Sequence, residues 1–136
     1  MDALGSHAPG QGWLAILARP TFAEFARAFG EAPVLEASVL AESIRGVQGV
    51  RAFFQATRAM YERIAFTSEH RADSSTWLEW QGQYLGAPIS GLTILTDGAD
   101  GAIVSLRILC LPLAQLSAFA AELQLRLNTA PPRDPP

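Results

Sequence analysis

The sequence predicts an α+β domain, on three observations. A stretch of helical period around residue 50 is followed by four β-rich segments arranged as two hairpins, and a Pro-initiated apolar stripe comes last. A chain of 136 residues suits one compact domain that buries about two-thirds of its unfolded surface. Residues 1–128 are expected to form that domain, with 1–12 frayed because they are Gly- and Ala-rich without periodicity. Residues 129–136, with four prolines in eight positions, are expected to be a disordered tail.

Phe22, Phe25, Ala26 and Phe29 have the spacing of an amphipathic helix, with Thr21 as N-cap, Glu24 completing a capping box and Gly30 as the stop. Upstream, Trp13 to Leu17 can form a short helix. From Val34 to Leu40 the pattern alternates, with Leu35, Ala37 and Val39 on one face and Glu36 and Ser38 on the other, as in a strand. From Val47 to Ile64 an apolar set (Val50, Phe53, Phe54, Thr57, Met60, Tyr61, Ile64) opposes a polar set (Arg51, Gln55, Arg58, Glu62), which predicts the long helix. Ile64–Arg71 and Thr76–Leu85 read as a hairpin turning at Asp73 and Ser74. Ile89–Thr96 and Ala102–Leu111 read as a second, whose connection contains Gly98 and Gly101. Pro112 opens a last helix with Leu113, Leu116, Ala120, Leu123 and Leu127 along one side.

Composition excludes several functions. All ten basic residues are Arg, so Schiff-base chemistry, pyridoxal phosphate attachment and a Walker lysine are ruled out. One Cys and two His cannot assemble a zinc cluster, a disulfide or a three-histidine metal site within the chain, and no metal or cofactor is expected. Cys110 lies in an apolar run and reads as a buried, inert thiol. A net charge of −3 with scattered arginines argues against nucleic acid. No run is long enough to span a membrane, and no leader pattern is visible, so a cytoplasmic location is expected.

The segment Pro33 to Phe54 resembles the strand, "R-G" turn and "I/V-R-x-F-F/Y" helix start of the nuclear transport factor 2-like superfamily, which includes SnoaL-like cyclases, ketosteroid isomerases and limonene epoxide hydrolases. The stretch Asp97 to Arg107 resembles that superfamily's "D-x-D-G-K-I-x-x-x-R" hairpin. The resemblance implies a curved antiparallel sheet wrapped around helices into a cone, with a cavity at the open end, an additional C-terminal helix, and homodimerisation through the outer sheet face. It also places the ketosteroid isomerase base at Ala37 and the oxyanion-hole acid near Thr93. Neither residue is an acid, so that chemistry does not transfer. No counterpart of the hydrolase's Asp-Arg-Asp arrangement is found.

With a turn at Asp73 and Ser74, Arg71 faces Thr76, Glu69 faces Leu78, Thr67 faces Trp80 and His70 faces Trp77. The resemblance puts Leu78, Trp80 and Tyr84 inside. Glu69 then either points inward among Thr67, Trp80, Tyr84 and Thr93, where desolvation would raise its pKa, or is solvated or paired with Arg71 or Arg107. Trp77, Glu79, Gln81 and Gln83 form a mixed stripe suited to association of two copies.

Two functions follow, and a third of a different kind. The first is a cavity for a small hydrophobic or aromatic molecule, lined by Leu35, Ala37, Phe54, Trp80 and Tyr84 together with Leu95, Leu106 and Ile108, and capped by Trp13. The second is acid/base isomerisation, cyclisation or hydration of a ring-shaped substrate, with Glu69 as base and Tyr84 or Thr93 as donor to developing charge. The third is a structural dimerisation module.

Overall fold

The computed structural model describes residues 8–129, so the Pro-rich tail and His7 lie outside the described residues apart from Thr129. The elements run α1 (Gln11–Leu17), α2 (Phe22–Ala26), β1 (Phe29–Ala37), β2 (Ile44–Arg45), α3 (Val47–Met60), β3 (Arg63–Ala72), β4 (Ser75–Tyr84), β5 (Ala87–Asp97), β6 (Ile103–Leu111) and α4 (Leu113–Leu127). The strands make one curved sheet in the order β2-β1-β6-β5-β4-β3. All pairs are antiparallel except β1 with β6, which is parallel. A long-range return of β1 beside β6 cannot be read from local alternation, which carries no strand direction.

Apolar positions at every second residue of β4, β5 and β6 (Leu78, Trp80, Tyr84; Ile89, Thr93, Leu95; Leu106, Ile108, Cys110) face the helices and are buried. Against them α3 sets Val50, Phe53 and Met60, and α4 sets Phe119 and Leu123. Gly91 lies opposite Trp80 across the β4–β5 ladder, and a Cβ there would collide with the indole and with the Leu109 carbonyl. Only glycine lets the ring lie flat across the neighbouring strand.

Four boundaries differ from the sequence reading. The segment read as frayed is structured from Gln11, because α1 packs Trp13 into the core and Gly10 donates its N–H to Glu69 Oε1 at 2.8 Å. At φ 75°, with the Phe66 ring where a Cβ would stand, position 10 requires glycine. The expected helix from Thr21 to Phe29 stops at Ala26, and Phe29 instead opens β1 opposite Ile103. Sheet pairing there overrides a helical spacing. The Thr21 cap is present, with Glu24 N–H donating to its hydroxyl at 3.2 Å and the hydroxyl donating to the Glu24 carboxylate at 2.9 Å. The long helix ends at Met60, and Tyr61 is already extended.

The first hairpin turns at Asp73 and Ser74 and pairs Arg71 with Thr76, Glu69 with Leu78 and His70 with Trp77 as expected. The pairing of Thr67 with Trp80 is corrected: a bulge between Phe66 and Ser68 puts Phe66 opposite Trp80. In α4, Leu113 is 81% exposed and leaves the expected apolar stripe, whose buried centre is Phe119 and Leu123. No helix among the described residues is long and apolar enough to cross a membrane.

Candidate functional site

Under α1 and α3 the curved sheet leaves a cavity of about 610 Å³. Its floor is buried: Trp80 from β4, Thr93 from β5, Ile108 and Cys110 from β6, and Phe119 from α4. Its rim is exposed: Leu14 from α1 and Ala18 at its C-terminal cap, Gln55 and Arg58 from α3, and Ile64 from β3. Trp13 and Phe54 meet edge to face between rim and floor, 5.2 Å between ring centroids. On the other side Tyr61 packs against Trp80 at 5.4 Å and Phe119 at 5.3 Å.

The helix period explains how α3 supplies both walls and rim. Phe53 and Thr57, four residues apart, are buried towards the interior and Tyr61 borders the cavity just past the helix end, whereas Gln55 and Arg58, three apart, are exposed and border it farther out. Arg51 is buried; its Nη2 donates to the Pro20 carbonyl at 3.1 Å and its guanidinium lies 5.9 Å from the Phe22 ring centroid.

Two hydroxyls are in an unusual state. Thr93 accepts a hydrogen bond from Trp80 Nε1 at 3.1 Å, but its own proton has no acceptor among the described residues. The Tyr61 hydroxyl has no hydrogen-bond partner among the described residues either. Burial, reinforced by the Cys110 side chain, pushes the Tyr61 phenol far above its ordinary value, so it is a neutral donor at physiological pH. Burial likewise pushes the Cys110 thiol up to about 11, with the Ser38 hydroxyl pulling the other way, which fits an unreactive sulfhydryl.

Five of the residues singled out from the sequence border this cavity: Trp13, Phe54, Trp80, Thr93 and Ile108. Leu35, Leu106 and Ala37 instead pack into the core beside it. Leu95 and Glu69 border a separate recess of about 340 Å³ with Arg71 and Asp97. Glu69 is exposed, opposite Leu78 on the ladder. Tyr84 stands six positions further along β4, about 20 Å away at the strand rise, so Glu69 and Tyr84 do not meet. Tyr84 points under α4, where its hydroxyl donates to Glu122 Oε1 at 2.8 Å.

The sequence reading passed over Tyr61, Arg51 and Arg58. The helical period puts Tyr61 in the apolar set and both arginines in the polar set; that all three border the cavity depends on where α1 and β3 lie.

No protein-family model matches the chain, and no curated protein does. Solved structures do. A steroid delta-isomerase from Pseudomonas aeruginosa is similar with a TM-score of 0.75 and 19% identity, over 85% of this chain and 86% of that one. An uncharacterised protein with a cystatin-like fold from Silicibacter pomeroyi is similar with a TM-score of 0.73 and 14% identity, over 81% of this chain and 78% of that one. A protein with a ketosteroid isomerase-like fold from Catenulispora acidiphila, in complex with trimethylamine, is similar with a TM-score of 0.57 and 18% identity, over 80% of this chain and 88% of that one. The chain therefore has the α+β cone fold of the nuclear transport factor 2-like and SnoaL-like proteins.

Proposed function

We propose that the cavity binds one small, largely apolar, ring-shaped molecule, and that Tyr61 and Thr93 orient it by donating hydrogen bonds to an acceptor atom of that molecule. The observation that carries this reading is the pair of hydroxyls on apolar walls with no acceptor for their protons among the described residues. A polar group held in such surroundings without a partner costs stability, and a ligand acceptor removes that cost. The fold supports the reading, since the similar structures include one named for a steroid substrate and one holding a small amine.

Binding is favoured over acid/base turnover with Glu69 as base. No Asp or Glu borders the cavity among the described residues, and Glu69 is engaged with Gly10 outside it. A proton abstraction needs a base within hydrogen-bond reach of the substrate.

The neutral fluorophore N-phenyl-1-naphthylamine tests the proposal. One-to-one saturable binding with quenching of tryptophan emission is expected, because Trp13 and Trp80 both border the cavity. Uptake that rises without saturation, or that leaves tryptophan emission unchanged, would overturn it.

A second reading, compatible with the first, has its own observation. The outer sheet face exposes Trp77 (42%), Leu109 (47%) and Leu111 (65%), on neighbouring rows of the ladder. An apolar patch on a sheet suits a homodimer. Sedimentation of the wild type as a dimer, and of Trp77→Arg as a monomer, is the expected outcome; a wild-type monomer at micromolar concentration would sink it.

A further inference from the structure

We propose that the molecule taken by this cavity is an amphiphilic anion, with its apolar body on the Trp80 floor and a carboxylate or similar oxyanion held at the rim by Arg58. The proposal rests on the reading of the cavity as a small-molecule site and adds the charge of the occupant.

The argument begins with a sign mismatch. The chain carries thirteen acidic and ten basic residues, yet the cavity is bordered by Arg19, Arg51 and Arg58 and by no carboxylate among the described residues. Cations are gathered there against the overall charge, and a low-dielectric wall strengthens their field at the opening. Such an opening attracts anions and repels cations.

The three arginines differ in what they already do. Arg19 Nη1 donates to the Glu24 carbonyl at 3.0 Å. Arg51 is tied to the Pro20 carbonyl and lies over Phe22. Arg58 is exposed and has no hydrogen bond or ion pair among the described residues. The next carboxylate along the chain is Glu62, two residues past the end of α3. That carboxylate is turned elsewhere, with both oxygens accepting from the Gly86 N–H at 3.0 and 3.2 Å. The dipole of α3 accounts for a cation in the last turn, but not for a cavity border stripped of acids.

Guanidinium chemistry fits this role. It is planar, weakly hydrated and permanently charged, and it presents paired donors that match a carboxylate or sulfonate. The rest of the polar lining is consistent with it, because Tyr61 and Thr93 offer protons and lack acceptors.

The test uses two probes with one hydrocarbon frame. 1-Anilinonaphthalene-8-sulfonate is N-phenyl-1-naphthylamine with a sulfonate added. The sulfonate is expected to bind the wild-type chain about tenfold tighter than the neutral compound, an advantage lost at high salt. Arg58→Gln should bring the two affinities together by weakening the sulfonate alone. Arg107→Gln, on the outer face beside Glu36, should leave the ratio as in the wild type. Equal affinities in the wild type, with the neutral probe still saturating, would overturn the anion proposal and leave the cavity reading intact. Equal weakening of both probes by Arg58→Gln would also overturn it, since Arg58 would then be only a piece of wall. Failure of the neutral probe to saturate would remove the cavity reading, and this proposal with it.

Discussion

At the end of the cone covered by α4, the Tyr84 hydroxyl, Glu122 and Gln115 all have hydrogen-bond partners. The Tyr84 hydroxyl lies 2.8 Å from Glu122 Oε1 and 3.2 Å from the Ala118 carbonyl, Glu122 also accepts from Arg126 Nε at 2.8 Å, and Gln115 Nε2 donates to the carbonyls of Tyr84 and Ala87 at 2.8 and 3.0 Å. Under α1 and α3, a second tyrosine packs against the same Phe119 ring, yet its hydroxyl has no partner among the described residues. Two tyrosines share one apolar neighbour and differ in polar satisfaction. Closed hydrogen-bond accounts mark the end that only holds the fold together; open ones mark the end shaped for something else.

The largest contrast should come from truncating two aromatics that border the cavity, one on its buried floor and one on its half-buried wall. Phe119 is fully buried, so Phe119→Ala is expected to cost about 3–5 kcal/mol of unfolding free energy. Phe54 is half-buried on a wall that already faces empty space, so Phe54→Ala should cost less than half as much while weakening probe binding. Urea denaturation of both variants checks the ratio. Next in size is Gly91→Ala, whose new methyl meets the Trp80 ring and the Leu109 carbonyl. The expected cost is about 1–3 kcal/mol, accompanied by a shift in tryptophan emission as the indole leaves Thr93.

Most of the fold was legible in the sequence because its elements declare themselves locally. The two hairpins carry their turn residues, α3 and α4 carry their period, and even the pairing of Glu69 with Leu78 followed from the Asp73 turn. Beyond Ser68, counting out from the turn, the register slipped, because a bulge adds one unpaired residue and nothing in Phe66-Thr67-Ser68 announces it. The site was legible at inward strand positions, Trp80, Thr93 and Ile108, and at two helix aromatics, Trp13 and Phe54. Arg58 and Tyr61 were missed because their meaning depends on α1 crossing the sheet, a contact fixed by Gly10 and Glu69 across 59 positions of chain.

Removing one oxygen from each tyrosine isolates the contrast at its sharpest. Tyr84→Phe removes the donor to Glu122 Oε1, leaving only Arg126 on the carboxylate, and is expected to cost about 1 kcal/mol. Tyr61→Phe breaks no hydrogen bond, so its stability should stay within about 0.5 kcal/mol of wild type, and loss of an unpaired buried polar group favours a slight gain. A clear loss in Tyr61→Phe would mean that its hydroxyl has a structural partner after all.

The smallest effect is a difference in pH dependence, and its sign follows from the same pair. The Arg126 guanidinium, then the Tyr84 hydroxyl, hold the Glu122 carboxyl below its ordinary value. A depressed carboxyl contributes stability that is present above the unfolded value, near 4.5, and is lost as pH falls through the folded one. On the alkaline side, burial and then the Glu122 hydrogen bond push Tyr84 from 10.0 up to about 12. Its contribution is complete below pH 10 and is lost as pH rises towards 12. Tyr84→Phe should therefore flatten the stability profile at both extremes, because one hydroxyl takes part in both shifts. Tyr61 shares only the alkaline arm, since burial raises it and no carboxylate bonds to it. Tyr61→Phe should therefore keep the wild-type acid limb and lose part of the alkaline one. Urea midpoints at pH 3, 7 and 10.5 separate the cases, and matching acid limbs in wild type and Tyr84→Phe would show that Arg126 alone holds Glu122 ionised, which is possible because exposure of a third of the Glu122 side chain weakens the link to Tyr84.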